Sequence, residues 1–453
     1  MKLQKLNNIV VHWRKITNGS ANRQIFGAAI VVAVGTALVK GAAVIKELVV
    51  AWKFGTSDSL DAFLIALLVP SFMINVIAGS VPAALIPTYI QVREKKGQKE
   101  SNQLLSGVIF WSLILLPFTA IFMIAIAPYY LPLIAKGFNE EKLNLTFKLL
   151  CLLSPVVVLS GIIDIWSSVL NAGEKFFFAA ISPMTTSIVT IGFLLGFHSL
   201  GVLNLATGLI AGGVIEIILL GISLHKQGIS LYPKLYSFDS HLRQVFGQYI
   251  PMIAGSLLMS STSIVDQSMA AMLSPGSVAA LNYGNRVISL PITLVTTALS
   301  AAIIPYFSKM VAHQEWKAVS HTLQKYLQII FTLTIPLAIL FIIFSQQVVE
   351  ILFQRGSFTA QDTKIVANIQ VYYALQIPFY VANILVVRLI SAMKKNHILM
   401  QVSAFNLIFN IVFNYLFMQF MGINGIALST SCVYVFCFFY MFFNAKIRLQ
   451  KLT

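Results

Sequence analysis

Apolar residues run along this chain in continuous stretches, with no strict alternation, and the stretches recur from about residue 25 to residue 445. About 20 apolar residues wound at 1.5 Å per residue match the ~30 Å hydrocarbon core of a bilayer, so each stretch predicts a membrane-spanning helix. Twelve are predicted, at about 25–52, 61–91, 105–135, 146–170, 177–198, 201–224, 245–272, 278–307, 323–352, 364–392, 397–420 and 424–445. Backbone groups in lipid must be satisfied inside the protein, which leaves helical bundles or closed barrels, and continuous runs select helices. The predicted fold class is an all-α polytopic membrane protein.

Composition agrees. Of 453 residues, 58% are hydrophobic and 10% charged, against about a quarter charged in soluble chains. Residues 1–24 space Leu3, Leu6, Ile9, Val10, Trp13 and Ile16 helically among Lys2, Lys5, Arg14 and Lys15, a basic interfacial segment with no continuous apolar core of a cleaved signal. Cys151, Cys432 and Cys437 all fall within predicted spans and read as apolar fillers.

Charge sets the expected orientation. With both termini cytoplasmic, the inner segments hold 21 Lys and Arg, and the outer ones hold six: Lys53, Lys136, Lys142, Lys148, Arg355 and Lys364. That asymmetry is the positive-inside pattern, so the net charge of +16 serves topology and anionic headgroups, and nucleic acid is excluded as a partner.

The chain also repeats. Gly55, Asp61, Pro70 and the run Ala83 to Tyr89 are echoed by Gly276, Asn282, Pro291 and the run Ala301 to Phe307, at an offset of 221 residues that becomes 218 after a three-residue deletion. Two six-helix lobes related by a pseudo-two-fold axis along the membrane normal follow, 25–224 and 245–445, joined by a cytoplasmic connector at 225–244 and followed by a tail at 446–453. The connector carries Tyr232, Pro233, Tyr236 and Phe238 and is expected along the inner interface.

Four cations remain at lipid depth: Lys40, Lys46, Arg286 and Arg388. The carboxylates there are Glu47, Asp164, Glu216 and Asp266, with Asp61 at the outer rim. A charge at the centre of a span costs about 2.5–3.5 kcal/mol even on insertion scales, so such charges face water or a partner. Two readings stand: buried pairs that neutralise one another and fix packing, or a cation-lined cavity for an anionic substrate. Lys46 and Asp266 are expected to approach each other as a gating pair, and Lys40 and Glu47 share a helix face about 10 Å apart in rise. Glycines and prolines in the spans, Pro70, Pro291 and Pro378 among them, read first as packing and kink positions. Catalysis is not expected. The seven histidines lie near loops or span ends, and no HExxH, Cys-His cluster or phosphate-binding glycine loop occurs.

The run Lys40 to Phe63, Pro70 with Ala84-Leu85-Ile86-Pro87, then Tyr283-Gly284-Asn285-Arg286, Pro291, Ile304-Pro305 and Leu352 to Thr359 resemble the lipid II flippase family (MurJ/MviN-like) of the multidrug/oligosaccharidyl-lipid/polysaccharide exporter superfamily. The resemblance implies a bacterial inner-membrane transporter with alternating access. It would export a polyprenyl-pyrophosphate-linked glycan for peptidoglycan and cell-wall synthesis, with no cofactor and envelope-synthesis enzymes as a further partner class. It carries the family's first-span arginines onto Lys40 and Lys46, its outer aspartate onto Asp61 and its eighth-span arginine onto Arg286. Arg388 joins these as a pyrophosphate-binding candidate, and Glu47, Asp61, Asp266 and Glu216 are candidates for gating or for coupling to an unidentified cation. Two departures stand out: the family's second-span arginine falls near Ile74 and Asn75, and twelve spans are present where fourteen are usual. A flippase for another lipid-linked oligosaccharide and a multidrug/cation antiporter of the same superfamily remain alternatives.

Overall fold

A computed structural model describes residues 21–173, 176–197, 200–229, 231–234 and 240–452, and the described residues are helical almost throughout, with no strand among them. Residues 1–20, Lys175, His198, Tyr236, Phe238 and Thr453 lie outside the described residues, as do the side chains of 301–306 in the second repeat motif.

The helices are α1 (Ala21–Phe54), α2 (Asp58–Met73), α3 (Ser80–Lys96), α4 (Gln98–Ile134), α5 (Glu140–Ala172), α6 (Phe176–Ile181), α7 (Pro183–Gly196) and α8 (Leu203–His225). There follow α9 (Ser240–Ala271), α10 (Ser277–Ala312), α11 (Trp316–Ile343), α12 (Ser345–Phe353), α13 (Ala360–Ala374), α14 (Ile377–Ala392), α15 (Asn396–Met421) and α16 (Ile423–Leu452). Each predicted span falls on a helix or a helix pair, and eight segments among the described residues are long and apolar enough to cross a membrane, with a ninth if the bent pair α13–α14 is one span. Large side chains such as Phe118, Ile121, Tyr129, Leu333 and Phe420 stand exposed on the outside, as a surface wetted by hydrocarbon requires.

Four spans differ from straight rods. Between α2 and α3 the residues Ile74–Ala78 form one π-helical turn, closed by the Gly79 N–H donating to the Ile74 carbonyl at 2.8 Å. The stretch expected at 323–352 divides at Phe344 into α11 and α12. The one expected at 364–392 bends by 41° between α13 and α14, where Pro378 sits in the first turn of α14 and cannot continue the preceding ladder. Pro183 separates α6 from α7 in the same way.

The chain forms two compact units. Among the described residues, the first contains 21–49, Met73–Met123 and Leu152–Ile253. Its core is built from Leu85 and Tyr89 on α3, Leu105 and Val108 on α4, Ile165 and Leu170 on α5, Leu220 and Leu224 on α8 and Leu242 and Tyr249 on α9. Within it α7 and α8 approach unusually closely, because Gly208 and Gly212 lay bare backbone against Thr190 and Thr186, a small-xxx-small contact that a methyl group at either glycine would block.

The second unit contains Val50–Phe72, Ile124–Cys151 and the residues from Ala254 onward, so two segments of the first half of the chain pack with the second half. Its core joins Leu323 and Ile330 on α11, Val381 to Ile390 on α14 and Val433, Phe438 and Met441 on α16. Edge-on ring packing of Phe331 against Phe379 and Phe438, at 5.7 and 5.5 Å, fixes the three helices against one another.

Candidate functional site

The repeat motifs meet inside the second unit. Gly55, Gly276 and Gly356 all have positive φ, at +53°, +82° and +62°. A side chain at Gly55 would strike the Ser357 carbonyl, one at Gly276 the Thr56 carbonyl, and one at Gly356 the Trp52 carbonyl and ring. The backbone is locked further where Ser357 N–H donates to the Trp52 carbonyl at 2.8 Å and Thr56 Oγ1 donates to Asp362. Asp362 itself completes a capping box with Thr359 at the start of α13. Beneath lie the rings of Tyr283, Phe353 and Phe358, with centroids 5.1 to 5.6 Å apart. The Leu352 to Thr359 motif thus serves as a clasp.

Asp61 is the electrostatic centre of that clasp. Its carboxylate accepts from the Gly276 and Ala279 N–H groups, both at 2.8 Å, so an aspartate on α2 caps the positive end of α10. The Lys142 ammonium on α5 lies 3.1 Å from the same carboxylate and also pairs with Asp58, while its charge sits 4.0 Å above the Phe138 ring. Expected at the outer rim, Asp61 is buried, only 1% exposed. Lys142 was counted only as a loop cation, and its signal, an ammonium in the first turn of α5 behind Glu140 and Glu141, points at nothing until α2 is beside it.

In the first unit, Lys46 Nζ pairs with Glu47 Oε1 at 3.1 Å, each side chain 22% exposed. Asp266, in the second unit, accepts from the amides of Asn410 and Asn414 at 2.8 and 2.6 Å. Each member of the expected Lys46–Asp266 gating pair thus has a partner within its own unit. Lys46 finds its acid on the neighbouring residue, and Asp266 is served by two neutral amides on α15. Sequence reasoning missed Asn410 and Asn414 because it followed charge. Their signal is an i, i+4 amide pair in an otherwise apolar helix, both fully or almost fully buried.

Lys40 is exposed, and a side chain added at the adjacent Gly41 would meet no atom within 4 Å, so this face of α1 borders open space. Arg286 on α10 and Arg388 on α14 are exposed too. No ion pair of Lys40 or Arg388 with a carboxylate occurs among the described residues, which leaves mutual neutralisation without support at these two positions. Asn75, one of the two residues near which the resembling family's second-span arginine falls, is exposed on the π turn. Glu216 is buried and accepts from Thr186 Oγ1 at 2.8 Å.

The comparisons with known proteins fit this geometry. A Synechocystis sp. protein described as "Probable lipid II flippase MurJ" is 25% identical over 451 residues, covering 96% of this chain and 84% of its own length. Among solved structures, a lipid II flippase MurJ in an inward closed conformation superposes with a TM-score of 0.81 at 24% identity, covering 93% of this chain and 90% of that one. An inward-facing multidrug resistance MATE family transporter of the MOP superfamily follows at TM-score 0.76 and 16% identity, covering 94% and 98%. Both superpositions speak for the fold. The family model for lipid II flippase MurJ matches residues 50–453, well over half of the sequence, and the chain belongs to that family.

Proposed function

We propose that this multi-pass inner-membrane protein flips a polyprenyl-pyrophosphate-linked glycan, lipid II in the first instance, from the inner to the outer leaflet by alternating access. Membership of the MurJ family across residues 50–453 carries the reading, and exposed cations at lipid depth support it. Lys40, Lys46, Arg286 and Arg388 are the proposed ligands of the pyrophosphate. Lysine supplies the charge without the bidentate fork of arginine, so the headgroup is held by point charges. Glu47, beside Lys46, competes with the incoming phosphate for that ammonium and eases its release.

The Asp61 clasp is the proposed outer gate. It closes by placing a carboxylate on the α10 N-terminus and opens when that cap is withdrawn. Both termini are assigned to the cytoplasm. Moving an anion outward down an inside-negative potential yields about 2.3 kcal/mol per charge per 100 mV, which supplies a driving force. A coupling cation and contacts with envelope-synthesis enzymes belong to the same proposal. The lack of the family's arginine near Ile74 and Asn75 favours a second reading, a related lipid-linked oligosaccharide whose headgroup asks for one cation fewer.

Replacement of charge tests the proposal. Lys46→Ala and Arg286→Ala abolish export at normal membrane insertion, and Lys46→Arg retains it. Undiminished export by both alanine variants would overturn the assignment, and a preference for another glycan over lipid II in vesicles would select the second reading.

A further inference from the structure

In the first unit, the tight contact of α7 with α8 at Thr186 and Gly212 does not persist along the pair. Pro183 interrupts the helix between α6 and α7, and about two turns past Gly212 a cavity of about 490 Å³ opens between α8 and the α6–α7 junction. Each wall is one helix face. Ile181, Thr185 and Ile188 recur at helical spacing on one side, and Leu219, Ser223 and Lys226 do so on the other.

Most of the lining is apolar, and four of its side chains, Phe178, Ile188, Leu219 and Ile222, are between 46 and 52% exposed, so the rim is continuous with the surface wetted by hydrocarbon. The cavity opens sideways into lipid. Toward the C-terminus of α8 its lining turns polar, with Ser223, Gln227, whose Nε2 donates to the Ser223 carbonyl at 3.1 Å, and Lys226. Lys226 is exposed and forms no ion pair among the described residues, and none of the described lining residues is acidic. An apolar slot that ends in one unneutralised ammonium is complementary to an amphiphile with an apolar chain and one negative headgroup. The charge pattern assigns this end of α8 to the inner interface, where basic pockets between spans take anionic headgroups.

We propose that the cavity between α8 and the α6–α7 junction binds an anionic glycerophospholipid of the inner leaflet, with its phosphate on Lys226 and one acyl chain along Leu219, Ile188 and Phe178. A zwitterionic lipid fits the same slot but brings its own cation toward Lys226, so the site selects the charge of the headgroup. The site uses none of Lys40, Lys46, Arg286 and Arg388. Its occupancy is independent of the flippase reading, and only the choice of leaflet rests on the orientation assigned above.

Photolabelling tests this with the full chain reconstituted in phosphatidylcholine vesicles that carry a trace of phosphatidylglycerol with a diazirine in its acyl chain. Label is expected on the peptides that hold Phe178 to Ile188 and Leu219 to Gln227, at about fivefold the yield from phosphatidylcholine with the same chain, the ratio that one ammonium near a membrane surface supplies. Lys226→Gln removes that preference, Lys226→Arg keeps it, and Lys317→Gln, which removes a cation at the start of α11, leaves it unchanged. A lysine that served only to complement the helix dipole would not give this pattern. Equal labelling by the two headgroups, or a preference that survives Lys226→Gln, would overturn the proposal. Displacement of the label by polyprenyl pyrophosphate at a lower concentration than by unlabelled phosphatidylglycerol would overturn the phospholipid as occupant. Labelling requires no export, so its failure is distinguishable from failure of the flippase reading.

Discussion

Asp61 and Lys40 are both charges in a lipid-grade chain, and they live in opposite circumstances. Asp61 is 1% exposed with two N–H donors and an ammonium on its oxygens, while Lys40 borders open space with no carboxylate paired to it among the described residues. Buried charge is tolerated when every lone pair is engaged, and a charge left open at depth implies water or a ligand. The saturated site ties α2, α5 and α10 together, and the open one is left for the proposed headgroup.

That contrast breaks most sharply at Asp61. Asp61→Ala strips the cap from α10 and leaves Lys142, whose side chain is 11% exposed, without its buried partner, so a loss of about 3–5 kcal/mol is expected in denaturant unfolding of the detergent-solubilised protein. A smaller loss, about 1–3 kcal/mol, is expected for Gly276→Ala by the same measurement, because an alanine is strained at φ +82° and meets the Thr56 carbonyl. Asp58→Asn removes the other carboxylate on Lys142, but that side chain is 58% exposed and solvent screens it, so about 0–1 kcal/mol is expected. Lys40→Ala sharpens the comparison from the other side: stability within about 0.5 kcal/mol of the parent, with export reduced in reconstituted vesicles. A stability loss at Lys40 as large as at Asp61 would erase the distinction.

Much of the fold was legible in the sequence because lipid imposes one rule on every span, and the repeat at Gly55 and Gly276 stood out because positive φ tolerates few residues. The helix breaks at Phe344 and Leu375 were harder to read, since an apolar run looks the same whether straight or bent. The site was legible only as a set of charges. Glu47, which reaches Lys46 at 3.1 Å, was not read as its partner because adjacent residues on a helix do not usually face each other. Lys142 looked like a surface lysine because its partners are 81 and 84 residues earlier. The amides of Asn410 and Asn414 carry no charge, and only packing shows that both converge on one carboxylate.

Binding of polyprenyl pyrophosphate to the purified protein, compared with an uncharged polyprenol of equal length, tests the account most directly. The pyrophosphate is predicted to bind at least about tenfold tighter, a difference of about 1.4 kcal/mol, and to lose that advantage in the Lys40→Ala, Lys46→Ala, Arg286→Ala triple variant. Equal binding of the two lipids, or a preference that survives removal of all three cations, would contradict it.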